Sequence, residues 1–244
     1  MISVIIPCHN QAQYLRGAVE SVLVQSRGDH EILIVDDGST DGTREVANAI
    51  IAENPRRIIN LLLQDQGGLS SARNAAIKAS SGEYILPLDA DDILNPNCLG
   101  EMAAVLDSEQ ADVVAADRLN FGLHCEIVRA NIFCLEVGVL YNLVGYCSMF
   151  RRKCWDDAGG YPINYPQMGY EDWEFWIRCA KSGARFQAIH QVLWNYRVRQ
   201  NSMARSALQD NDFLMSRIVL NNPELYSDES VARARKVYDA RMEE

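Results

Sequence analysis

Short apolar runs rich in β-branched residues alternate, over the first half of the chain, with stretches in which apolar positions recur every three or four residues. Residues 2–6 (ISVII) read as a buried strand. Leu15, Ala18, Val19, Val22 and Leu23 then recur at helical spacing, with Asn10 placed to cap the helix they define. Residues 31–35 predict a second strand, and the DDGSTDGT that follows is dense in turn formers. A helix over 44–53 stops before Pro55, and residues 58–63 predict a third strand. Gly67 and Gly68 make a turn into a helix over 69–80. Residues 83–88 predict a fourth strand that runs directly into LDADD, and a helix after Pro96 and a strand over 112–116 continue the series.

Strands alternating with helices of this length imply right-handed crossovers, hence a mostly parallel, Rossmann-like α/β sheet with helices on both faces. Ligands of such sheets bind beyond the carboxyl ends of the strands. That rule directs attention to the segments 7–10, 36–43, 64–70 and 89–92, where the polar residues concentrate. The pattern weakens over 118–149, which reads as β-ribbon or loop, with Gly122, Gly138 and Gly145 breaking any long helix. A loop at Gly159, Gly160, Tyr161 and Pro162 precedes a helix over 170–182, with Trp173, Trp176, Ile177 and Ala180 on one face. Residues 185–189 predict a strand, and the tail from Ala207 reads as helix in two segments split near Asn222 and Pro223. One domain is the simplest organisation: residues 1–205, in two parts (1–117 and 118–205), then a helical extension over 206–244.

The chain has 244 residues, 48% of them apolar, enough for a sizeable core. Its formal net charge of −10 excludes a general nucleic-acid binder, which needs a basic face. It does not exclude a diphosphate, whose charge a metal ion can offset locally. No apolar run reaches the roughly 20 residues that cross a bilayer. The N-terminus MISVIIPCHN has no basic leader and no small-residue cleavage site, so it reads as a strand and not a signal peptide. Seven scattered cysteines without a C-x-x-C pair suggest reduced, mostly buried thiols in a cytoplasmic protein.

Four constellations carry candidate chemistry. Asp89 and Asp91, with Asp92 beside them, leave the end of an apolar strand. Hard cations such as Mg²⁺ or Mn²⁺ take one or two carboxylates and complete their shell with substrate phosphates. In isolation the same residues also read as a solvated acidic turn. Asp36 and Asp37, before Gly38, can accept from a ribose hydroxyl or a base N–H, or form an Asx turn. Gly67 and Gly68 at a helix start, with Arg73 one turn in, suit an anionic group. Glu171 and Asp172 open the Trp-rich helix, either as dipole-stabilising acids or with a general base among them. Trp173 and Trp176 fit the core by spacing, and a sugar platform only as a second reading.

The segments SVIIPCHNQAQYLRGAVESVLVQS, EILIVDDGSTDGT, QGGLSSARNAAI, GEYILPLDADD and GYEDWEFWIRCAKSG occur in this order. The ordered set resembles the family 2 glycosyltransferases of GT-A fold, densely over 2–100 and again over about 148–203. The resemblance implies an inverting, metal-dependent enzyme that moves a sugar from a UDP- or dTDP-linked donor to a hydroxyl of a glycan or lipid-linked acceptor, as in surface polysaccharide synthesis. It implies that Pro7, His9 and Asn10 form the first nucleotide loop. Asp37 would accept from the base, with Asp36 beside it, and Arg73 would lie near the nucleotide or diphosphate. Asp89 would contact the ribose, Asp91 would coordinate Mn²⁺ or Mg²⁺, and Asp172 would be the catalytic base. Relatives of this kind work at the inner face of the membrane, which is compatible with a cytoplasmic chain docked peripherally.

One position departs from the family pattern. Arg199 stands where a histidine that adds a metal or diphosphate contact is expected, and arginine cannot ligate a metal, though it can pair with a phosphate. His190 lies too early to replace that histidine and reads as structural. The departure keeps a non-catalytic nucleotide-sugar-binding module as the alternative. A sugar-nucleotide-forming nucleotidyltransferase is disfavoured, because Pro7, Cys8, His9 and Asn10 provide no basic Gly-rich loop. Acceptor choice falls to residues 118–149 and to the loop near 161–169.

Overall fold

The computed structural model describes residues 1–163, 167–200 and 202–243. β1 (Ile2–Cys8), α1 (Ala12–Leu23), β2 (His30–Asp37), α2 (Thr43–Glu53), β3 (Ile59–Gln64), α3 (Leu69–Ala79) and β4 (Tyr84–Pro87) follow in strict alternation. Then come β5 (Ile93–Leu94), α4 (Cys98–Asp107), β6 (Val113–Gly122), β7 (Glu126–Val128), α5 (Leu135–Gly138), β8 (Met149–Arg151) and α6 (Arg152–Asp157). The chain closes with α7 (Glu171–Lys181), β9 (Phe186–Val198), α8 (Met203–Gln209), α9 (Asn211–Asn221), a 3₁₀ turn (Pro223–Leu225) and α10 (Asp228–Met242). The sheet order is β3-β2-β1-β4-β8-β6-β9-β5, with β7 paired to β6. Its long pairings, β1 with β2 and β4, β2 with β3, and β6 with β9, are parallel. The antiparallel ones join only two or three residue pairs each.

Strand periodicity sorts the core into two layers. Ile2, Val4 and Ile6 of β1 and Ile32 and Ile34 of β2 pack on one face with Leu15, Val19 and Val22 of α1, Ile50 of α2 and Leu99 and Met102 of α4. Ile5, Leu33 and Val35 face the other way, onto Ala72, Ala76 and Ile77 of α3 and onto Trp173, Phe175 and Trp176 of α7. Trp173 and Trp176 are thus core residues and no sugar platform. The C-terminal helices dock on this second layer: Ile218 of α9 enters it, and Tyr170 packs on Ala207, Phe213 and Leu214. No helix among the described residues is long and apolar enough to cross a membrane.

Three local expectations change. Asn10 does not cap α1: the N-cap is Gln11, and Asp41 Oδ2 accepts from Ala12 N at 3.1 Å. Asn10, at φ 54°, instead turns its Oδ1 to the Thr40 N–H at 2.8 Å. β6 runs on past 116, because Asp117, Arg118 and Asn120 are in register with β9 over the same stretch and no longer follow an apolar alternation. For the same reason β9 extends from the predicted 185–189 to Val198. The short β5 and α6 had no periodic signal to announce them. Residues 164–166 of the acceptor loop, and Asn201, lie outside the described residues. The cysteines are free; Cys125 and Cys134 are exposed and the other five buried.

Trp176, on the buried face of α7, is 0% exposed and packs against Phe150 and Phe186. Trp176→Ala should lower unfolding free energy by about 3–5 kcal/mol, read by denaturant melts. A loss under about 1 kcal/mol, the range of a surface substitution, would show that α7 does not anchor the second layer.

Candidate active site

The segments after β1, β2, β3 and β4 converge at the carboxyl edge of the parallel strands, as the crossover rule requires. Pro7 is buried in β1 opposite Val35. His9 follows it, with Nδ1 2.8 Å from Asp37 O, and Asn10 Nδ2 lies 3.1 Å from His9 Nε2. Asp36 caps the turn that follows it: its Oδ1 accepts from Ser39 N, three residues on, at 2.9 Å, and its Oδ2 lies 3.4 Å from Arg44 Nε.

Asp37 has a different task. Oδ1 accepts from Gly67 N and from Gln64 Nε2, each at 2.7 Å, and Oδ2 accepts from Gly68 N at 2.9 Å. The anion at the start of α3 is therefore the protein's own carboxylate, so these two glycine N–H groups are already spent. Gly38 permits the approach: at φ +70°, a Cβ there would stand 2.9 Å from Gln66 N. A carboxylate offers about four lone-pair sites, so Oδ2 keeps room for one more donor.

The three aspartates after β4 diverge to three partners. Asp89 Oδ1 pairs with Arg73 Nη2 at 3.0 Å. Asp91 Oδ2 pairs with Arg199 Nη2 at 2.7 Å, while Arg197 Nε donates to Asp91 O at 2.9 Å. Asp92 is fully buried, accepting from Arg197 N at 2.7 Å and from the Tyr146 hydroxyl. Burial, then the neighbouring Asp89 charge, pushes both Asp91 and Asp92 above the usual carboxylate range; Arg199 draws Asp91 part of the way back.

Arg73 connects this turn to α7. It is 1% exposed, and its Nη1 donates to Glu171 Oε1 at 3.1 Å. The rings of Tyr146 and Tyr161 cover it, at 5.2 and 5.4 Å from the guanidinium carbon. Burial works against its charge, but Asp89 and Glu171 outweigh that and hold it above its ordinary value. Glu171 also accepts from Gly169 N at 3.1 Å. Asp172, half-buried beside it, has a long 3.4 Å contact from Asn142 Nδ2. Burial raises the carboxyls of both Glu171 and Asp172, with Arg73 opposing.

Tyr146, Asn142 and Arg197 took no part in the sequence reading. Only Arg197 had a signal, its place two residues before Arg199. Tyr146 and Asn142 lie in the aperiodic stretch 118–149. His190 sits on β9 with Nδ1 3.3 Å from Asp117 Oδ1. Among the described residues, no group of three or more His, Cys, Asp or Glu side chains is arranged to hold a metal ion.

The acidic turn, the buried arginine and the second acidic pair thus meet at one sheet edge, and comparison with known proteins gives the family. The model of "Glycosyl transferase family 2" matches residues 3–156, and that of "N-terminal domain of galactosyltransferase" matches 139–201. The chain belongs to glycosyl transferase family 2. It is 41% identical over 203 residues to a chondroitin synthase of Pasteurella multocida, covering 80% of this chain and 20% of that one. It is 27% identical over 212 residues to the UDP-Glc:alpha-D-GlcNAc-diphosphoundecaprenol beta-1,3-glucosyltransferase WfaP of Escherichia coli, covering 86% of this chain and 82% of that one. Among solved structures it resembles a mannosyltransferase of Pyrobaculum calidifontis in complex with GDP-Man and Mn²⁺, with TM-score 0.72 and 17% identity over 98% of this chain and 74% of that one. At that identity the likeness shows the fold, which is GT-A. The chain spans 20% to 46% of the length of several curated relatives.

Arg73→Met strands the Glu171 carboxylate in the interior and should cost about 3–5 kcal/mol of stability. Adding Glu171→Leu should restore much of it, since a buried pair replaced by apolar groups is close to neutral. A double variant as unstable as the sum of the two singles would contradict the pairing.

Proposed function

We propose that the chain is the catalytic domain of an inverting glycosyltransferase that moves a sugar from a UDP- or dTDP-linked donor to a hydroxyl of a glycan or lipid-linked acceptor, as in polysaccharide synthesis at the inner face of the membrane. The observation that carries the reading is the Asp89–Arg73–Glu171 chain of ion pairs, which ties the acidic turn after β4 to the pair containing Asp172. The names of the Pasteurella and E. coli relatives support the glycan and lipid-linked acceptors, and the latter a UDP donor.

In this reading Pro7, His9 and Asn10 shape the nucleoside loop and Asp36 holds its turn. Asp37 offers its remaining lone pair to a base N–H. Asp89 receives the ribose, and Arg73 fixes Asp89 beside the diphosphate. Asp172 accepts the proton of the acceptor hydroxyl as that oxygen bonds to the sugar's C1. The C1–O bond to the diphosphate breaks from the opposite face, its electron pair leaving with the β-phosphate, so one displacement inverts the anomeric centre.

Asp91 is the residue that would hold Mn²⁺ or Mg²⁺. Its carboxylate suits a hard cation whose shell is completed by diphosphate oxygens, and such an ion would stabilise the departing diphosphate as a Lewis acid. Arg199 now occupies one of its oxygens, so a divalent ion competes with a guanidinium. The same ion pair is the single observation favouring the alternative, a nucleotide-sugar-binding module without catalysis.

Asp172→Asn should reduce transfer, or slow donor hydrolysis, by about 10²–10⁴-fold while leaving UDP-induced thermal stabilisation in place. Stabilisation by UDP with no turnover in the wild type across nucleotide sugars and a broad acceptor screen would favour the binding module. A base must be ionised, and burial raises the Asp172 carboxyl above its ordinary 3.8. Activity should therefore be present above that raised value and lost as pH falls through it, an acidic limb at higher pH than a free aspartate gives. A limb at or below 3.8 would remove Asp172 from the role.

Metal use is tested by thermal shift with UDP, where Mn²⁺ should add an increment that Asp91→Ala abolishes. Arg199→Gln should bring on the Mn²⁺ increment at lower metal concentration. Equal stabilisation with and without metal would remove Asp91 from the metal role, and an unchanged or higher Mn²⁺ requirement in Arg199→Gln would refute competition.

A further inference from the structure

A cavity of about 200 Å³ lies between β6, β9 and the segment leading into β8. Arg118, Asn131, Asn142, Gly145, Ser148 and Trp194 are among its walls. Asn142 is also the residue whose amide reaches Asp172 Oδ2. The cavity therefore adjoins the carboxylate proposed as the base.

Arg118 is built as a receptor group. Its guanidinium is clamped against two aromatic faces, 5.6 Å from the centre of the Trp194 ring and 5.4 Å from that of Tyr196. Nε donates to Asn120 Oδ1 at 3.0 Å, and Asn120 in turn donates to Glu126 at 2.9 Å. These contacts fix the plane and consume one donor edge. The two Nη groups make no hydrogen bond or ion pair with the described residues. Other guanidinium groups are spent on carboxylates, as at Arg73, Arg151, Arg185 and Arg199, whereas Arg197 lies between Tyr14 and Phe121 with its Nε on Asp91 O. The neighbouring Arg129 is exposed and lies 3.7 Å from Asp117.

A half-buried guanidinium held rigidly with idle donors gains most from a planar anion that takes two parallel N–H bonds, because the ordering cost is already met. Arg129 adds a second, exposed cation to the wall, turned toward Asp117, and Asn131, Asn142 and Ser148 are neutral donors and acceptors suited to sugar hydroxyls. The volume lies below the roughly 300 Å³ at which pockets for drug-sized ligands begin, so it suits a single ring.

We propose that this cavity is the acceptor subsite and that Arg118 selects an acceptor sugar bearing a carboxylate, a uronic-acid ring. The inference rests on the glycosyl-transfer reading above and names its acceptor class. Arg118 is a specificity residue in it: it holds the ring while Asp172 faces the hydroxyl.

The test measures binding without donor, so that it does not depend on turnover. A glucuronate-terminated oligosaccharide and the same compound with its carboxyl reduced to CH₂OH are titrated into the wild-type chain by saturation-transfer NMR or calorimetry. The wild type should bind the acid at least about tenfold more tightly, the scale of a charge-assisted bidentate pair. Arg118→Gln should bring the ratio close to one, and Arg118→Lys, which keeps the charge without the fork, should leave an intermediate ratio. Melting temperatures identify a variant that has failed to fold, in which case the lysine variant carries the comparison. Equal wild-type binding of the two sugars overturns the proposal, as does a preference that survives Arg118→Gln. So does tighter wild-type binding of a neutral sugar linked to a diphosphate, which would make the anion a lipid-carrier phosphate. Acid-selective binding lost in Arg118→Gln, with no transfer from any nucleotide sugar, would keep this subsite and refute the glycosyl-transfer reading instead.

Discussion

Arg73 carries a positive charge into an interior where it has 1% of its surface exposed, and the site is arranged around satisfying it. A guanidinium so placed is tolerated only with carboxylates in hydrogen-bonding reach and little water to compete. Asp89 supplies one from the turn after β4, and Glu171 the other from the first turn of α7. Tyr146 and Tyr161 close over its faces. Two segments more than eighty residues apart in sequence are thereby held in a fixed relation, and Asp172 rides on the second of them.

A second set of contacts manages the charge that the acidic turn accumulates. Asp89, Asp91 and Asp92 would repel one another if they pointed the same way, and their neighbours do raise Asp91 and Asp92. The end of β9 answers this with Arg197 and Arg199, which reach Asp92 through the backbone and Asp91 through a guanidinium. Both arginines lie over the Tyr14 ring of α1. The turn is thus poised between internal cations and any cation or phosphate brought by a ligand. A different balance holds at Asp37, where backbone N–H groups at the start of α3 and an amide solvate the carboxylate without a cation.

The parts legible in the sequence were those encoded by local pattern. Strands β1 to β4 and the helices between them are bounded by runs and turn formers, and each of those elements lies close to its predicted span. The segments at the strand ends were legible too, because the crossover topology places them there whatever their chemistry. Less legible was what each polar residue does. DDGS read equally as a ligand loop or a turn; Asp36 caps its own turn, and no local signal showed that Asp37 binds the glycines of the next loop. LDADD read as a turn whose Asp89 serves a ribose and Asp91 a metal, and nothing local showed that its three carboxylates take three separate protein partners. The stretch 118–149 gave no periodic signal, because a strand edge, a hairpin and irregular loops share it, and it holds Tyr146, Asn142 and Arg118.

The sequence by itself determined the alternating α/β architecture, the family, and the candidate residues at the strand ends. Hydrophobic periodicity and short motifs are properties of neighbouring positions, so one chain suffices to read them. Tertiary structure alone decided which of those residues share partners: that Arg73 joins Asp89 to Glu171, that Arg199 meets Asp91, and that Arg118 faces a cavity with its Nη donors unspent. Such pairings join residues from 16 to 108 positions apart. They depend on where separate elements converge and on the cost of leaving a buried charge alone, and neither is written in any local window.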